Sequence, residues 1–570
     1  MSHNKQKTAA SSNRSQTTFA ASTTFPVGNT RGQRRRSLAL CITLVAAMLA
    51  SSCSTSRDAA NNNGRAQETS VAMSPSSRPS DESGGLFAKH EEGNTESYAQ
   101  INENPFYEVA RAPLSTFSID VDTASYSNTR RFINEGQLPP PDAVRIEELI
   151  NYFSYAYEQP TGSAPFSVTT EVAACPWNTA HRLVHIGLQG KRIETENLPP
   201  ANLVFLMDVS GSMNEPNKLP LVKTALRTLT EQLTARDRVA IVVYAGTSGL
   251  VLPSTTGDRK GEILGALDRL EAGGSTNGGQ GIQLAYRIAQ DNFIKDGINR
   301  VILTTDGDFN VGVTNENELV RLIEEKRANG VFLSVLGFGS GNLKDSTMEK
   351  LADKGNGNYA YIDTVSEARK VLGEQVGGTL ATIAKDVKIQ IEFNPRQVAG
   401  YRLIGYENRL LRDEDFNDDT KDAGEIGAGH TVTALYEIVP YGQKVEASGV
   451  DKLKYQEPAV PSETAMSKEM LTVKLRYKEP NGDESRLISV GIADANGSID
   501  NASENLKFSA AVAAFGMLLR DSKYKGDATY DRVIQLARAS TGADLRGYRA
   551  EFIQLAEKAK TLAPRNVARN

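Results

Sequence analysis

From Asn202 to about Val376 the chain repeats one pattern, a short unbroken apolar run followed by a longer stretch with apolar residues at helical spacing. Leu203-Val204-Phe205-Leu206-Met207 is the first run, and a run without polar interruption is what a strand buried on both faces requires. Leu219, Val222, Leu226, Leu229 and Leu233 then mark one face of a helix. Val239–Tyr244, 300–304 and 331–337 read as further buried strands, and 249–253 as a short edge strand. Helices are expected at 258–271, 278–293, 316–329 and 346–354, and a strand at 359–362 with a helix at 365–376 closes the unit. Strands separated by helices of this length mean an α/β fold, a doubly wound, Rossmann-like parallel sheet covered on both faces. Ligands in such sheets sit at the carboxyl ends of the strands.

At the end of the first strand stands Asp208-Val209-Ser210-Gly211-Ser212-Met213, which can point a carboxylate and two hydroxyls at one place. A later glycine-rich loop, Gly273-Gly274-Ser275-Thr276-Asn277, adds another hydroxyl. The strand 300–304 runs into Thr305-Asp306-Gly307-Asp308, a second carboxylate at the same edge. The combination resembles the metal-ion-dependent adhesion site of von Willebrand factor type A domains, with its D-x-S-x-S, T and D elements. The resemblance implies Asp208, Ser210, Ser212, Thr276 and Asp306 as metal ligands. Oxygen donors carrying few charges suit Mg²⁺, with Mn²⁺ or Ca²⁺ as substitutes. The competing reading makes the hydroxyls helix caps and has the aspartates satisfy backbone amides. Capping alone requires neither two carboxylates nor their convergence.

The N-terminus reads as an address. Residues 1–53 carry Lys5, Lys7, Arg14, Arg31, Arg34, Arg35 and Arg36 and no acid. Arg34-Arg35-Arg36 precedes an apolar run from Leu38 to Ala50, too short to span a bilayer, which needs about 20 residues, and suited to a secretory signal. Leu49-Ala50-Ser51-Ser52-Cys53 resembles a bacterial lipobox, with the large aliphatic residue four positions before Cys53 instead of three. The resemblance implies lipidation at Cys53 and a membrane anchor on the periplasmic side of the cell envelope or at the outer membrane. The alternative is an ordinary cleaved signal ending near Ser52. Residues 54–98 are Ser/Asn/Gly-rich with few large apolar side chains, the composition of a tether. Setting aside the +7 block, the total of −5 leaves −12 for the rest, the wrong sign for phosphate neutralisation, so nucleic-acid binding drops out. Three cysteines cannot make a disulfide framework, and Cys175 is expected as a small buried hydrophobe.

Outside the central unit, 116–121 reads as a strand, and 124–135 and 143–154 read as helices. Alternation predicts strands at 166–172, 182–188, 387–393, 431–439, 471–477 and 486–492, and helices at 505–519, 530–539 and 549–561. The first pair of strands is expected to meet 387–393 and 431–439 in one β-rich domain, which makes the central unit an insertion. The acidic run 413–419 lacks EF-hand spacing and reads as a solvated hairpin loop. His181 and His185 lie in a strand, where a spacing of four puts them about 13 Å apart, too far for one zinc ion. Gly337-Phe338-Gly339-Ser340-Gly341 lacks the dinucleotide spacing and no Walker lysine pattern occurs, so no nucleotide is expected.

The runs 113–126 and 384–395 resemble the flanks of YfbK-like bacterial lipoproteins. With that resemblance the chain divides into 1–53 signal peptide, 54–98 linker, 99–198 N-terminal region and 199–378 type A domain. A C-terminal region, 379–565, is β-rich and then helical and shares a sheet with 160–195. The implied function is an envelope-anchored, adhesion-type binding protein in which a partner's Asp or Glu completes the metal's coordination. The alternative is a hydrolase in which the same metal activates water. Asp308 and Asn310 lie close by, but no His or Glu stands at motif distance as a base. Partnership with AAA+-type ATPases, the habit of intracellular relatives, conflicts with an exported chain.

Overall fold

The computed structural model describes residues 95–563 apart from 120, 247, 275–277, 308–315 and 447–459. The readings at 1–53, including Cys53, most of the tether and Thr276 lie outside the described residues.

The central sheet has six strands in the order Tyr359–Ile362, Phe332–Phe338, Ile298–Thr305, Ala201–Asp208, Arg238–Tyr244 and Ser248–Thr256. The first five run parallel. The sixth is antiparallel, because only three residues separate it from its neighbour, too few for a crossover. Period-two alternation is visible in the packing. Leu203, Phe205 and Met207 enter one core, while Val204 and Leu206 enter the other, with each of these residues at 0 % exposure. This two-sided burial explains the unbroken apolar runs, since each such side chain contributes about 1.5–3 kcal/mol when removed from water. Helices Leu219–Gln232 and Lys260–Asp268 cover the first face, and Gly278–Asp291, Glu316–Ala328 and Asp345–Lys354 cover the second. The helix expected at 365–376 is broken into Val365–Arg369, a π-turn at Lys370–Glu374, and Val376–Leu380.

The flanks form two further sheets. One runs in the order Tyr107–Glu108, Val398–Ile404, Thr431–Pro440, Arg182–Gly190 and Phe166–Ala174. Segments on either side of the central unit therefore pair directly, Val432 opposite Leu188 and Leu435 opposite His185. The other contains Gly424–Gly427, Thr382–Phe393, Glu469–Lys478 and Ser485–Ala493, with Leu114–Ser118 also on Thr382–Phe393. The strand 387–393 thus does not pair with 166–188 as expected. It faces them across a sandwich core, where Val387, Ile389 and Ile391 share one cluster with Val184, Ile186 and Leu188. The opposite face of the first sheet carries a helical layer built from Glu504–Leu519, Tyr530–Arg538 and Tyr548–Leu562 with Ile146–Asn151. Cys175 is buried there as a free thiol.

The acidic run 413–419 is largely solvated, with Asp413, Glu414 and Asp419 exposed, but it is not a hairpin loop. Asp413–Asn417 is a 3-10 turn in the crossing from one sheet of the sandwich to the other. Thr116 Oγ1 donates to Asp413 Oδ1 at 2.8 Å, and Lys388 Nζ donates to the Asp415 and Asp418 carbonyls. His185 bonds Tyr157 and Ser509, while His181 bonds Glu437 at 2.7 Å, so each ring is engaged separately.

Buried ion pairs join the central unit to the flanks. Arg130, on helix Ala124–Asn134, is 2 % exposed. Its guanidinium donates to Asp363 (Nε, 2.8 Å) and Glu367 (2.7 Å), just beyond the last central strand, and to Tyr152 Oη (2.9 Å). Arg145 bonds Glu148 and Asp345, and Arg409 reaches Asp122, Glu349 and Asp353. Burial alone would raise the Glu367 pKa, but the cations of Arg130 and Lys370 outweigh it and hold the carboxyl below its usual value. Arg130→Met strands two buried carboxylates and should destabilise the protein by about 3–5 kcal/mol. Urea unfolding of the variant against wild type checks this.

Candidate metal centre

The site grows from two adjacent parallel strands. Ala201–Asp208 and Ile298–Thr305 are in register with Met207 opposite Thr304, so Asp208 and Asp306 leave the sheet side by side at its carboxyl edge. Both carboxylates are fully buried, Ser210 is buried and Ser212 is exposed. The site therefore runs from a dry floor of charge to a solvent-facing hydroxyl.

Asp208 Oδ1 accepts the Ser210 amide at 2.9 Å, an Asx-type turn that bends the chain off the strand. The turn sets the Ser210 and Ser212 hydroxyls 3.0 Å apart. It is stitched to the glycine-rich loop by Gly211 N–H donating to the Gly274 carbonyl (3.0 Å) and Gly273 N–H to that of Val209 (2.8 Å). Thr276, further along that loop, lies outside the described residues, as do Asp308 and Asn310. After Asp306 the chain turns at Gly307, with φ +116° and the Asn342 carbonyl 2.5 Å from where a Cβ would stand, so only glycine fits.

The sequence reading missed Lys218. Its Nζ lies 3.0 Å from Asp306 Oδ2, the side chain is buried, and its methylenes run over Gly339, where a Cβ would approach Lys218 Cε to 2.5 Å. One signal could have found it. Lys218 occupies the N-cap of helix Leu219–Gln232, where the helix dipole disfavours a cation, so a lysine there calls for a nearby anion.

A divalent cation fits these residues. Each aspartate uses one oxygen internally, Asp208 Oδ1 toward Ser210 and Asp306 Oδ2 toward Lys218. The other oxygens, Asp208 Oδ2 and Asp306 Oδ1, are buried with no hydrogen-bond partner among the described residues. The Tyr244 phenol beside Asp208 supplies a weaker polar contact. Two orphaned carboxylate oxygens next to two hydroxyls make a donor set of hard oxygens, the chemistry of Mg²⁺. Asp386, Asp422 and Glu425 also gather carboxylate oxygens within 4.8 Å of one another, but Lys478 (2.7 Å) and Arg327 (2.6 Å) already pair with the two aspartates.

Burial pushes the Asp208 pKa up to about 6, against the pull of the Ser210 hydrogen bonds, and the Asp306 charge adds a smaller push. The folded protein therefore holds a proton on Asp208 at pH values where the unfolded chain has released it. Without metal, stability falls as pH rises from about 4 to about 6. In chelator, Asp208→Asn should be more stable than wild type by about 1–3 kcal/mol at pH 7.5, an advantage that shrinks toward pH 4. Denaturant titrations at the two pH values measure it.

Residues 202–374 match the von Willebrand factor type A domain, 92–185 match the family described as von Willebrand factor, and 378–562 match the C-terminal region of protein YfbK. The chain is 46 % identical to the YfbK protein of Escherichia coli K12 over 472 residues, 82 % of this chain and 81 % of that protein. It is 26 % identical to protein sll0103 of a Synechocystis strain over 33 % of this chain and 44 % of the other. Over 27 % of its length it is 29 % identical to human inter-alpha-trypsin inhibitor heavy chain H4, covering 17 % of that protein.

Proposed function

Because the chain belongs to the bacterial YfbK-like family of von Willebrand factor type A proteins, we propose that it is an envelope-anchored binding protein. A divalent metal at the edge of the central sheet captures an acidic side chain of a protein partner. The observation that carries this reading is the pair of buried, orphaned oxygens on Asp208 and Asp306 beside the Ser210 and Ser212 hydroxyls. Asp208, Ser210, Ser212 and Asp306 would hold the ion, with Thr276 from the glycine-rich loop as fifth ligand. Bound Mg²⁺ supplies an electrophilic centre with a coordination position open to a carboxylate. The protein's own residues keep the floor of the site dry and orient the carboxylates, while exposed Ser212 marks the side on which a partner arrives. Hydrolysis would need a base beside the metal, and the three described histidines lie in the flanking regions, with His181 and His185 engaged there.

Titration of the purified protein with Mg²⁺ in a calorimeter tests the metal reading. Wild type should bind, and Asp208→Ala should give no binding heat. Thr276→Ala should weaken capture of a carboxylate-bearing partner more than it weakens metal retention, because Thr276 comes from a separate loop. Equal Mg²⁺ affinity in wild type and Asp208→Ala overturns the assignment.

The anchor is proposed from Cys53. No helix among the described residues is long and apolar enough to cross a membrane, and several acyl chains at one cysteine would hold the protein firmly. Cys53→Ser should move the protein from the membrane pellet to the soluble fraction, as immunoblots of fractionated cells will show. Sedimentation of the variant with membranes rules the lipid anchor out.

A further inference from the structure

We propose that Lys218 adds one positive charge to the loaded metal site, weakening metal binding and in return favouring an anion as the partner's ligand. The inference rests on the metal reading above and concerns what that site will accept.

Lys218 is placed for this by three independent features. Its ammonium sits 3.0 Å from Asp306 Oδ2, leaving the other oxygen of that carboxylate buried and without a partner among the described residues. The side chain is only 8 % exposed, so solvent and salt screen its charge weakly. Its methylenes lie against Gly339, at φ +74°, and its backbone caps helix Leu219–Gln232, so it has little room to swing away. Among the described residues it is the cation paired with Asp306, and none is paired with Asp208.

The charge count then decides between two kinds of site. Among the described residues Asp208 and Asp306 contribute −2 against a divalent ion's +2, so these carboxylates alone would neutralise the metal and a water molecule could complete its coordination without charge imbalance. Lys218 adds one positive charge that solvent and salt screen only weakly. The metal enters against that repulsion, and the loaded site carries a surplus charge that a carboxylate cancels and a water or neutral amide does not. The lysine therefore acts on metal and partner in opposite directions. A purely structural lysine, present only to neutralise Asp306 in the empty site, would not couple the two.

Mn²⁺ binding to the full chain, read by calorimetry and by electron paramagnetic resonance with and without excess acetate, separates these roles. Lys218→Gln keeps volume and a hydrogen bond to Asp306 but removes the charge. Lys218→Met keeps only the packing, and Lys218→Arg keeps the charge. Both neutral variants should bind Mn²⁺ about tenfold more tightly than wild type, or more, while Lys218→Arg stays near wild type. Acetate should tighten Mn²⁺ binding in wild type and much less in the neutral variants, as reciprocal coupling requires. Neutral variants that bind Mn²⁺ no tighter, or an acetate effect unchanged by them, overturn the proposal, as does a Lys218→Arg affinity that shifts with the neutral pair. A wild type that binds no Mn²⁺ would instead refute the metal site itself.

Discussion

The Arg130 guanidinium, closed in between Asp363 and Glu367 with the Tyr152 hydroxyl above it, joins a helix of the N-terminal region to the end of the central domain. The same group reaches Glu551 on the last helix at 3.2 Å, so one side chain touches three parts of the molecule. Burying these carboxylates costs more than any single hydrogen bond returns, and only a paired cation makes the arrangement tolerable. Arg145 with Asp345, and Arg409 with Asp122, Glu349 and Asp353, repeat the solution nearby. In each case the carboxylates sit wholly or largely on the central domain and the cation on a flank. The flanks are therefore specified by charge as well as by apolar contact, since a misdocked flank would leave buried charges unpaired.

Chain topology makes the same demand. The central domain interrupts a β-sandwich whose strands Arg182–Gly190 and Thr431–Pro440 pair directly. Where the chain enters and leaves, Leu198 and Gly377 are close enough that a Cβ on Gly377 would lie 4.0 Å from Leu198 Cδ2. A domain held at two neighbouring points could rotate as a body. The arginine pairs hold it at further points, and segment 95–97 adds hydrogen bonds to the 341–343 loop, Thr95 N–H to the Gly341 carbonyl and Ser97 N–H to that of Leu343. That loop supplies the Asn342 carbonyl that crowds Gly307 next to Asp306. The last residues of the segment read as a tether and the candidate metal site therefore share a backbone neighbourhood.

What the sequence revealed follows from how local each signal is. Leu203 to Met207 announced a doubly buried strand because both faces demand apolar residues, and the D-x-S-x-S turn marked a candidate site because its geometry is contained in five residues. The edge strand was legible at 249–253, but its antiparallel direction, set by the three-residue loop before it, was seen only in the structure. Arg130 was silent because its meaning depends on partners up to 233 residues away, and Lys218 gave only the hint of its N-cap position, which calls for an anion without naming Asp306, 88 residues on. The strand Thr382–Phe393 read correctly as a strand but was assigned the wrong neighbours, because alternation fixes which face is buried and not which sheet lies opposite. Asp413–Asn417 misled in another way. Its exposure is as an acidic run suggests, but it crosses between two sheets instead of closing a hairpin, tied down where Lys388, Thr116 and Lys478 collect its carbonyls and a carboxylate.

On the proposed reading, a site that seeks anions on a body whose residues 54–570 sum to −12 sets two electrostatic effects against each other. At distances beyond about 10 Å the whole-protein charge governs, and an acidic partner approaching through dilute salt is repelled. Within a few ångströms the metal, with Lys218 behind it, dominates because the floor of the site is dry and poorly screened. On the proposed reading the partner therefore gains nothing from long-range steering, and discrimination falls to the last step of contact. The salt dependence follows from this separation. Added salt screens the distant repulsion before it weakens the buried attraction, so association with an acidic partner should quicken as ionic strength rises from about 0.01 to 0.15 M, with dissociation nearly unchanged. Most electrostatically assisted complexes show the opposite trend. Stopped-flow association rates across that salt range, at saturating Mg²⁺, distinguish the two, and a rate that falls with salt would place the governing charge on some other surface.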